Sequence, residues 1–405
     1  MTHMLKNFKE IKTIYPQEPD LDLMIKTNPG VPFDEQCVDF LNELSVQLYK
    51  DPRTKAYPDV ATFAFFCRKA NILQLKSNYS HGGQRIGRGL IFHVAPSNVP
   101  LNFAYSLLCG LLSGNSNIVR VPSKEFVQVG IICEALHKIR EKEESRGFSS
   151  RILLVRYDHQ TNATDYFSSL CDVRIIWGGD NTIETIRKSK IPPRSFDVTF
   201  ADRYSFCIIN ADEYIKEPTP DKIAQSFYND TYLFDQNACT APHLVIWLGS
   251  SSDVEKAKNI FWHELHKIVK EKYHVQPVIA VDKLSSFYGQ SLRSPGIKKI
   301  PSQDNLLWRV ELKKLPDNID EFRCSSGYFS EYHACSLSEI APIINRKFQT
   351  ITYWGLNKKE LSEFMEKSKP FGIDRIVPIG RSMEFSLVWD GFDLIRVLSR
   401  AYEIR

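Results

Sequence analysis

The chain has 405 residues, more than one hydrophobic core usually serves, so two or three lobes are expected. Its composition, 43% apolar and 25% charged, is that of a soluble globular protein, and a net charge of +4 is too small to imply nucleic acid. The nine cysteines are scattered without a Cys-x-x-Cys, which argues against both a disulfide framework and a zinc cage, so no metal is expected.

The opening residues contain no apolar core of a signal peptide. The longest apolar run, 101–112, is broken by Asn102, Ser106 and Gly110 and is too short to span a bilayer, so a cytoplasmic protein with no membrane span is expected. Residues 1–85 carry helical patterns. In 33–49, Cys37, Phe40, Leu41, Leu44 and Leu48 share one face, and a second pattern runs over 60–75. The glycines Gly82-Gly83 and Gly87-Arg88-Gly89 follow no strand and lack the Lys-Ser/Thr of a phosphate loop, so they read as a flexible hairpin.

From residue 90 the texture changes. Apolar strands at 90–95, 117–121, 151–155 and 173–177 alternate with helices at 101–113, 126–141 and 181–188, another helix lying before the fourth strand. This alternation predicts an α/β fold with a doubly wound, mostly parallel sheet, which binds ligands at the carboxyl ends of its strands. The loops 96–100, 122–124 and 178–180 lie there, and none is a G-x-G-x-x-G, so any dinucleotide is held differently from that fingerprint.

Strands at 196–200 and 205–210 lead out of this lobe, and a helix over 220–232 delivers the chain to Phe234-Asp235-Gln236-Asn237-Ala238-Cys239-Thr240-Ala241-Pro242-His243. That stretch runs into the buried-strand signal Leu244-Val245-Ile246-Trp247-Leu248. Cys239 therefore sits on a loop just ahead of a core strand, and Ala238, Thr240 and Ala241 leave room around its sulfur. A lone cysteine in such a chain is more often a small core residue than a nucleophile. An amphipathic helix follows at 252–273, with His263 and His266 on its solvated face. Residues 283–330 read as loop-rich, and helices at 336–348 and 358–368 flank a strand at 350–354. Three parts are expected: 1–206 with the first sheet, 207–374 around Cys239, and 375–405 packing back on the first lobe or on a subunit partner.

The order strand, Pro-x-Asn-x-Pro, helix, Gly-Asn, strand, Pro-Ser, then a Gly-rich turn and a loop cysteine, resembles the aldehyde dehydrogenase superfamily. Within it, Gln236-Asn237-Ala238-Cys239-Thr240-Ala241-Pro242 and the ending Val377-Pro378-Ile379-Gly380 with Trp389-Asp390-Gly391 look like the LuxC-type acyl-CoA reductases of bacterial luciferase operons. The resemblance covers about residue 90 to the end.

The resemblance implies an aldehyde-dehydrogenase-like fold, a nucleotide-binding lobe plus an α/β catalytic lobe. It also implies NADPH-dependent reduction of a fatty acyl thioester to an aldehyde. Cys239 would attack the thioester and hold the acyl group. Asn98 would donate its side-chain amide to the developing oxyanion, beside the Cys239 backbone N–H. Oxidising members carry a water-activating glutamate at a position that falls here near Phe200 or Ala201, with Asp202 the nearest carboxylate. Its loss favours reduction over hydrolysis. His243 is a candidate for deprotonating Cys239, although a histidine before a core strand is more often structural. The turn Pro122-Ser123-Lys124, with Arg120 close by, would meet the adenosine ribose of the cofactor, Ser97 would also contact the cofactor, and Gly178 and Gly179 would pass beneath its pyrophosphate. Lys124 replaces the glutamate of NAD-using members, and a lysine attracts a 2′-phosphate where a carboxylate repels it. Glu331 and Glu339 match the nicotinamide-ribose contact too loosely to be nominated, and Trp389-Asp390-Gly391 reads as packing or a subunit contact.

The acyl donor implied is acyl-CoA or an acyl-protein, with an acyl-protein synthetase as a possible partner and a homo-oligomer by analogy. One rival is a cysteine-dependent acyl transferase or thioesterase without nicotinamide. Others are a non-catalytic nucleotide-binding partner, and the same reduction on a non-fatty or carrier-bound acyl group.

Overall fold

The structure, a computed structural model, describes residues 11–79, 84–97, 99–142, 146–158 and 161–405. The chain divides into two compact units, Met1–Ala201 together with Phe392–Arg405, and Asp202–Gly391. The division falls earlier than 206/207 because Tyr204 and Ser205 already pair with Phe348 and Pro242 in the second unit's sheet. Nor does 375–405 stay in one place: 375–391 belongs to the second unit and 392–405 to the first.

In the first unit the strands are β1 (Lys12–Tyr15), β2 (Arg85–Gly87), β3 (Leu90–Val94), β4 (Ser116–Arg120), β5 (Ile152–Arg156), β6 (Val173–Trp177) and β7 (Phe196–Phe200). Six of them form one sheet in the order β1-β5-β4-β3-β6-β7. β3 to β7 are parallel, and β1 closes one edge antiparallel to β5. The chain winds outward from β3 to β5, then crosses back to lay β6 on the other side of β3, which is the expected doubly wound sheet with its switch point between β3 and β6. Edge strand β1 was not anticipated, since four residues are too few to show a period of two. β2 pairs antiparallel with the strand Ser399–Ala401, so the Arg85–Gly87 end of the expected flexible hairpin is a strand. Gly82 and Gly83 lie outside the described residues. The helical pattern over 60–75 is two helices, Pro58–Phe66 and Lys69–Ser77.

A buried polar chain ties this sheet together. The Trp177 indole N–H donates to Ser106 Oγ at 3.0 Å, and Ser106 lies 2.7 Å from His93 Nδ1. His93 Nε2 lies 3.0 Å from Asn117 Oδ1, while the Asn117 amide donates to the Asn115 carbonyl. Only one proton arrangement satisfies every link: neutral His93 carries its proton on Nε2, and the Ser106 hydroxyl donates to Nδ1. Burial agrees, pushing His93 down to about 4. β3, β4, β6 and the helix Asn102–Leu112 are thereby locked at one level. Gly110 is required there, because a Cβ would stand 1.8 Å from Asn117 Oδ1.

The second unit is built on β8 (Tyr204–Asn210), β9 (Pro242–Leu248), β10 (Lys298–Ile300), β11 (Trp308–Glu311), β12 (Tyr328–Ala334), β13 (Phe348–Trp354) and β14 (Arg375–Pro378). Their order is β10-β11-β12-β9-β8-β13-β14, all parallel except β10. β8 and β9 are buried on both faces. Phe206, Ile208, Leu244 and Ile246 enter one core cluster, and Cys207, Ile209, Val245 and Trp247 enter the other. Continuous apolar runs rather than alternation are what such central parallel strands need. The expected helix at 336–348 is instead two short 3₁₀ turns, Leu337–Glu339 and Ala341–Ile343. Pro342 offers no N–H to a helix there.

Candidate active site

The helix Pro220–Thr231 ends in a 3₁₀ turn, Tyr232–Phe234, after which Asp235 and Gln236 adopt φ of 51° and 59°. Side-chain-bearing residues hold this left-handed conformation only when surrounding bonds impose it. Gln236 supplies them. Its Oε1 accepts from the Gly327 and Tyr328 N–H groups at 2.9 and 3.1 Å, and its Nε2 donates to the Pro242 and Tyr328 carbonyls at 2.9 and 3.0 Å. The turn carrying Cys239 is thus pinned to the amino ends of β9 and β12. Ser205 completes the fixing: its hydroxyl donates to the Cys239 carbonyl at 2.7 Å and accepts from the Thr350 N–H at 3.2 Å, joining the turn to β8 and β13.

Cys239 itself is half-buried. Burial, then the nearby Asp390 carboxylate, pushes its thiol up to about 11, against the opposing pull of the polar Gln349 amide and the charge of Arg203. The Asp390 and Gln349 side chains are buried. Gln349 Nε2 donates to Asp390 Oδ1 at 2.9 Å, and the Arg203 guanidinium grips both Asp390 oxygens, at 2.8 and 2.9 Å. Sequence reasoning missed these three residues. Trp389-Asp390-Gly391, expected as packing or a subunit contact, instead brings a carboxylate to the cysteine, with Asp390 at a φ of 52°. The available signal was an acid set between Trp389 and Gly391.

The segment 375–386 also closes on this turn. Asp230 accepts from the Gly380 and Ser382 N–H groups at 2.6 and 3.0 Å, Arg375 donates to the Ser382 and Glu384 carbonyls at 2.7 and 2.6 Å, and the Thr240 hydroxyl meets Met383 Sδ at 3.3 Å.

His243 is not placed to act as a base. It is buried and stacked on Tyr204 with ring centroids 5.7 Å apart, and its Nδ1 has no partner among the described residues. Burial, reinforced by the Arg323 charge, pushes it down to about 3. A base depressed from about 6.5 stabilises the fold above that pH, and the contribution is lost as pH falls toward 3. His243→Phe is therefore expected to shrink the stability lost between pH 7 and pH 4 by about 2–3 kcal/mol, read from denaturant unfolding at the two pH values. An unchanged loss would mean that His243 is not held neutral.

Asp202 is exposed and pairs with Arg323 at 3.8 Å. Phe200 stacks on Trp177 at 3.7 Å inside the first unit. Glu331 is fully buried and structural, accepting from Trp247, Trp262 and Arg309 at 3.1, 2.7 and 2.7 Å. Glu339 is bound by the Tyr332 hydroxyl and the Cys335 N–H. His266, expected to be solvated, bonds Asp304 at 2.7 Å. A groove of about 410 Å³ bordered by Lys216, Glu217, Trp354 and Pro378 lies at the carboxyl ends of β13 and β14, the opposite end of the sheet from Cys239.

In the first unit Ser97, Pro122 to Lys124, and Gly178 to Gly179 follow the carboxyl ends of β3, β4 and β6, flanking the switch point. Ser123 and Lys124 are exposed, and Pro122 is buried with its carbonyl accepting from Arg156 at 3.0 Å. Arg120 lies over the Tyr157 ring at 4.8 Å. Gly179 caps the helix Asp180–Arg187, and a Cβ on Gly178 would stand 3.1 Å from Thr182, so glycine lets that helix start hard against β6. Asn98 lies outside the described residues. Among the described residues no helix is long and apolar enough to cross a membrane.

Comparison with known proteins places this geometry. Solved aldehyde dehydrogenases share the fold. Aldehyde dehydrogenase 21 of Physcomitrella patens has a TM-score of 0.60 at 14% identity over 84% of this chain and 77% of that one. An NAD-dependent benzaldehyde dehydrogenase of Corynebacterium glutamicum has 0.61 at 11% over 94% and 86%. A Thermus 1-pyrroline-5-carboxylate dehydrogenase with bound NAD has 0.59 at 13% over 90% and 80%. In sequence, the long-chain acyl-protein thioester reductase of Aliivibrio fischeri is 22% identical over 307 residues, 74% of this chain and 60% of the relative. That of Vibrio harveyi is 23% identical over 325 residues, 77% and 63%. The matched stretch thus spans about six-tenths of those relatives. The model of the acyl-CoA reductase (LuxC) family matches residues 71–401, running through both units and the Cys239 turn, and the chain belongs to that family.

Proposed function

We propose that the protein reduces an acyl thioester to an aldehyde through an acyl–Cys239 intermediate, using NADPH. The observation that carries this reading is a half-buried cysteine, within a family match covering both units, on a turn anchored by Gln236 and Ser205. The Cys239 thiolate adds to the thioester carbonyl, and the oxyanion collapses by expelling the donor thiolate, leaving the acyl group on Sγ. A bound nicotinamide would supply hydride to the acyl carbon. The resulting hemithioacetal oxyanion breaks its bond to Sγ, releasing aldehyde and restoring the Cys239 thiolate. The sum is thioester, NADPH and a proton giving aldehyde, thiol and NADP⁺. Asn98 retains, on the family resemblance alone, the role of oxyanion donor.

Reduction is favoured over hydrolysis by the state of the nearest carboxylate. Asp390 is held by both Arg203 contacts and by Gln349, so its lone pairs are engaged and it makes a poor base for water. A thioesterase would need such a base. The names of the sequence relatives favour a long-chain, protein-bound acyl donor, for which an acyl-protein synthetase would be the partner.

The loops after β3, β4 and β6 suit a dinucleotide, with Ser97, Gly178 and Gly179 near its phosphates and Arg120, Pro122, Ser123 and Lys124 toward its ribose. An exposed lysine in that turn favours a 2′-phosphate. Lys124→Glu is expected to raise KM for NADPH about two- to fivefold with little change for NADH, the range of an exposed charge pair. An equal change for both cofactors would count against this role.

The function is tested by intact-protein mass after mixing with a long-chain acyl thioester, on CoA or on a carrier protein. An acyl adduct that NADPH discharges as aldehyde supports the reading. Discharge without NADPH would make the protein a transferase or thioesterase.

A further inference from the structure

The helix Pro277–Arg293 is turned inside out. Lys283 and Gln290 are fully buried, with Phe287 between them packed on the core. Lys283 donates to the Asn305 carbonyl at 2.5 Å, while Gln290 donates to Ser330 at 3.2 Å and accepts from the Tyr328 hydroxyl at 2.7 Å. These bonds fix that face inward. The opposite face carries Val278, Val281, Ser285, Tyr288 and Leu292, all exposed, the four larger ones by 56, 61, 59 and 86%. Alternating steps of three and four residues are the seven-residue repeat of a helix–helix seam, here about 21 Å long at 1.5 Å per residue. No charged side chain stands on the seam itself.

We infer that this seam is the contact between two copies of the chain, their Pro277–Arg293 helices packed antiparallel across a two-fold axis. An uncharged apolar stripe offers no sign for a charged partner to match, but it is complementary to itself. An axis passing near residues 286 and 287 lays Tyr288 over the partner's Ser285, large against small, and Val281 beside the partner's Leu292. Gly289, at the edge of the seam, agrees. A Cβ there would meet nothing in its own chain within 4 Å, so no internal contact asks for a residue that weakens a helix interior, whereas the close approach of a second helix does. The neighbouring strand does not compete. β10 follows the helix at an edge of the sheet, with Lys298 exposed and Lys299 over the Trp308 ring at 3.6 Å, and lysines on an edge discourage strand-to-strand pairing. Counting about 100–200 Å² for each fully exposed side chain, the exposed shares of Val278, Val281, Leu284, Tyr288 and Leu292 come to about 300–600 Å² per copy. A pair buries about twice that, which reaches the ~1,000 Å² of a specific interface once the flanking backbone joins and remains the size of a dimer that dissociates. The inference is independent of the acyl chemistry proposed above.

The test is sedimentation velocity of the full chain over a concentration series, with chemical cross-linking as a second reading. The parent is expected to pass from monomer to dimer at concentrations on the order of micromolar. Val281→Arg and Leu292→Asp, both at exposed positions, are each expected to weaken association about tenfold or more, because they place a charge inside the seam. Phe371→Asp, at a 76% exposed apolar position off this helix, is expected to leave association unchanged. A short bismaleimide should link Ser285→Cys chains into dimers beyond the parent's own background. It should not do so for Ser252→Cys, at an exposed position on the helix Ser251–Lys272. A parent that stays monomeric to about 100 µM would overturn the inference. So would a dimer that both charged variants leave intact, or a link at Ser285→Cys no stronger than at Ser252→Cys. A parent that is monomeric alone and uses the seam only to bind an acyl-protein or a detergent micelle would overturn it as well. If a charged variant does not fold, the cross-link decides alone.

Discussion

Cys239→Ala is expected to form no acyl adduct and to lose aldehyde formation by a factor on the order of 10⁴ or more, since no other group on the turn can carry the acyl chain. Cys239→Ser should be nearly as inactive, because a serine hydroxyl without a neighbouring base is a far weaker nucleophile. The fold should survive both changes. Ser205 holds the backbone carbonyl of Cys239 rather than its side chain, so the turn keeps its anchor, and replacing a half-buried thiol costs about 1 kcal/mol or less. Intact mass and unfolding midpoints check the two halves of this expectation. Other free cysteines offer an internal control. Cys324 is partly exposed and Cys335 exposed, so nonspecific acylation would show there in the parent and the variant alike. An adduct of undiminished yield in Cys239→Ala would end the reading of Cys239 as nucleophile.

Much of the fold was legible because its central strands are buried on both faces. Leu244 to Leu248 and Ile152 to Val155 are unbroken apolar runs, and such runs with helices between them admit little besides a parallel α/β sheet. What was hidden has identifiable causes. Most of the helix Pro277–Arg293 fell within 283–330, read as loop-rich, because its pattern is largely inverted. It buries Lys283 and Gln290 and exposes Val278, Val281, Tyr288 and Leu292. Lys283 reaches the Asn305 carbonyl, and Gln290 bonds both Tyr328 and Ser330, so beside Phe287 this helix turns polar tips inward.

The candidate site was legible in part for a related reason. Cys239 announces itself by its small neighbours and the strand that follows. Its surroundings come from Arg203, Gln349 and Asp390, far apart in sequence and brought together only by the order β9-β8-β13 and by the return of the chain beside β14. No spacing rule connects them. The motif ending in Trp389-Asp390-Gly391 was visible as a pattern, but its charge could be assigned a purpose only once Arg203 stood opposite it.

The second large effect is expected at Gln236. Its side chain satisfies four buried backbone groups at the amino ends of β9 and β12, and it is 1% exposed. Truncation to alanine would leave two N–H and two C=O groups without partners in a site that water reaches poorly, and would release the left-handed pair Asp235–Gln236 from the bonds that impose it. Gln236→Ala is therefore expected to destabilise the protein by about 3–5 kcal/mol, and Gln236→Glu by nearly as much, since a carboxylate cannot donate to Pro242 and Tyr328. Asn237→Ala, one residue on and exposed, should stay within about 0.5 kcal/mol of the parent. Denaturant unfolding of the three variants decides the matter. The contrast between neighbours is the informative part: equal effects at 236 and 237 would mean that the turn is held by its backbone alone. A large loss confined to Gln236 would identify the glutamine as the anchor that keeps Cys239 at the amino ends of β9 and β12.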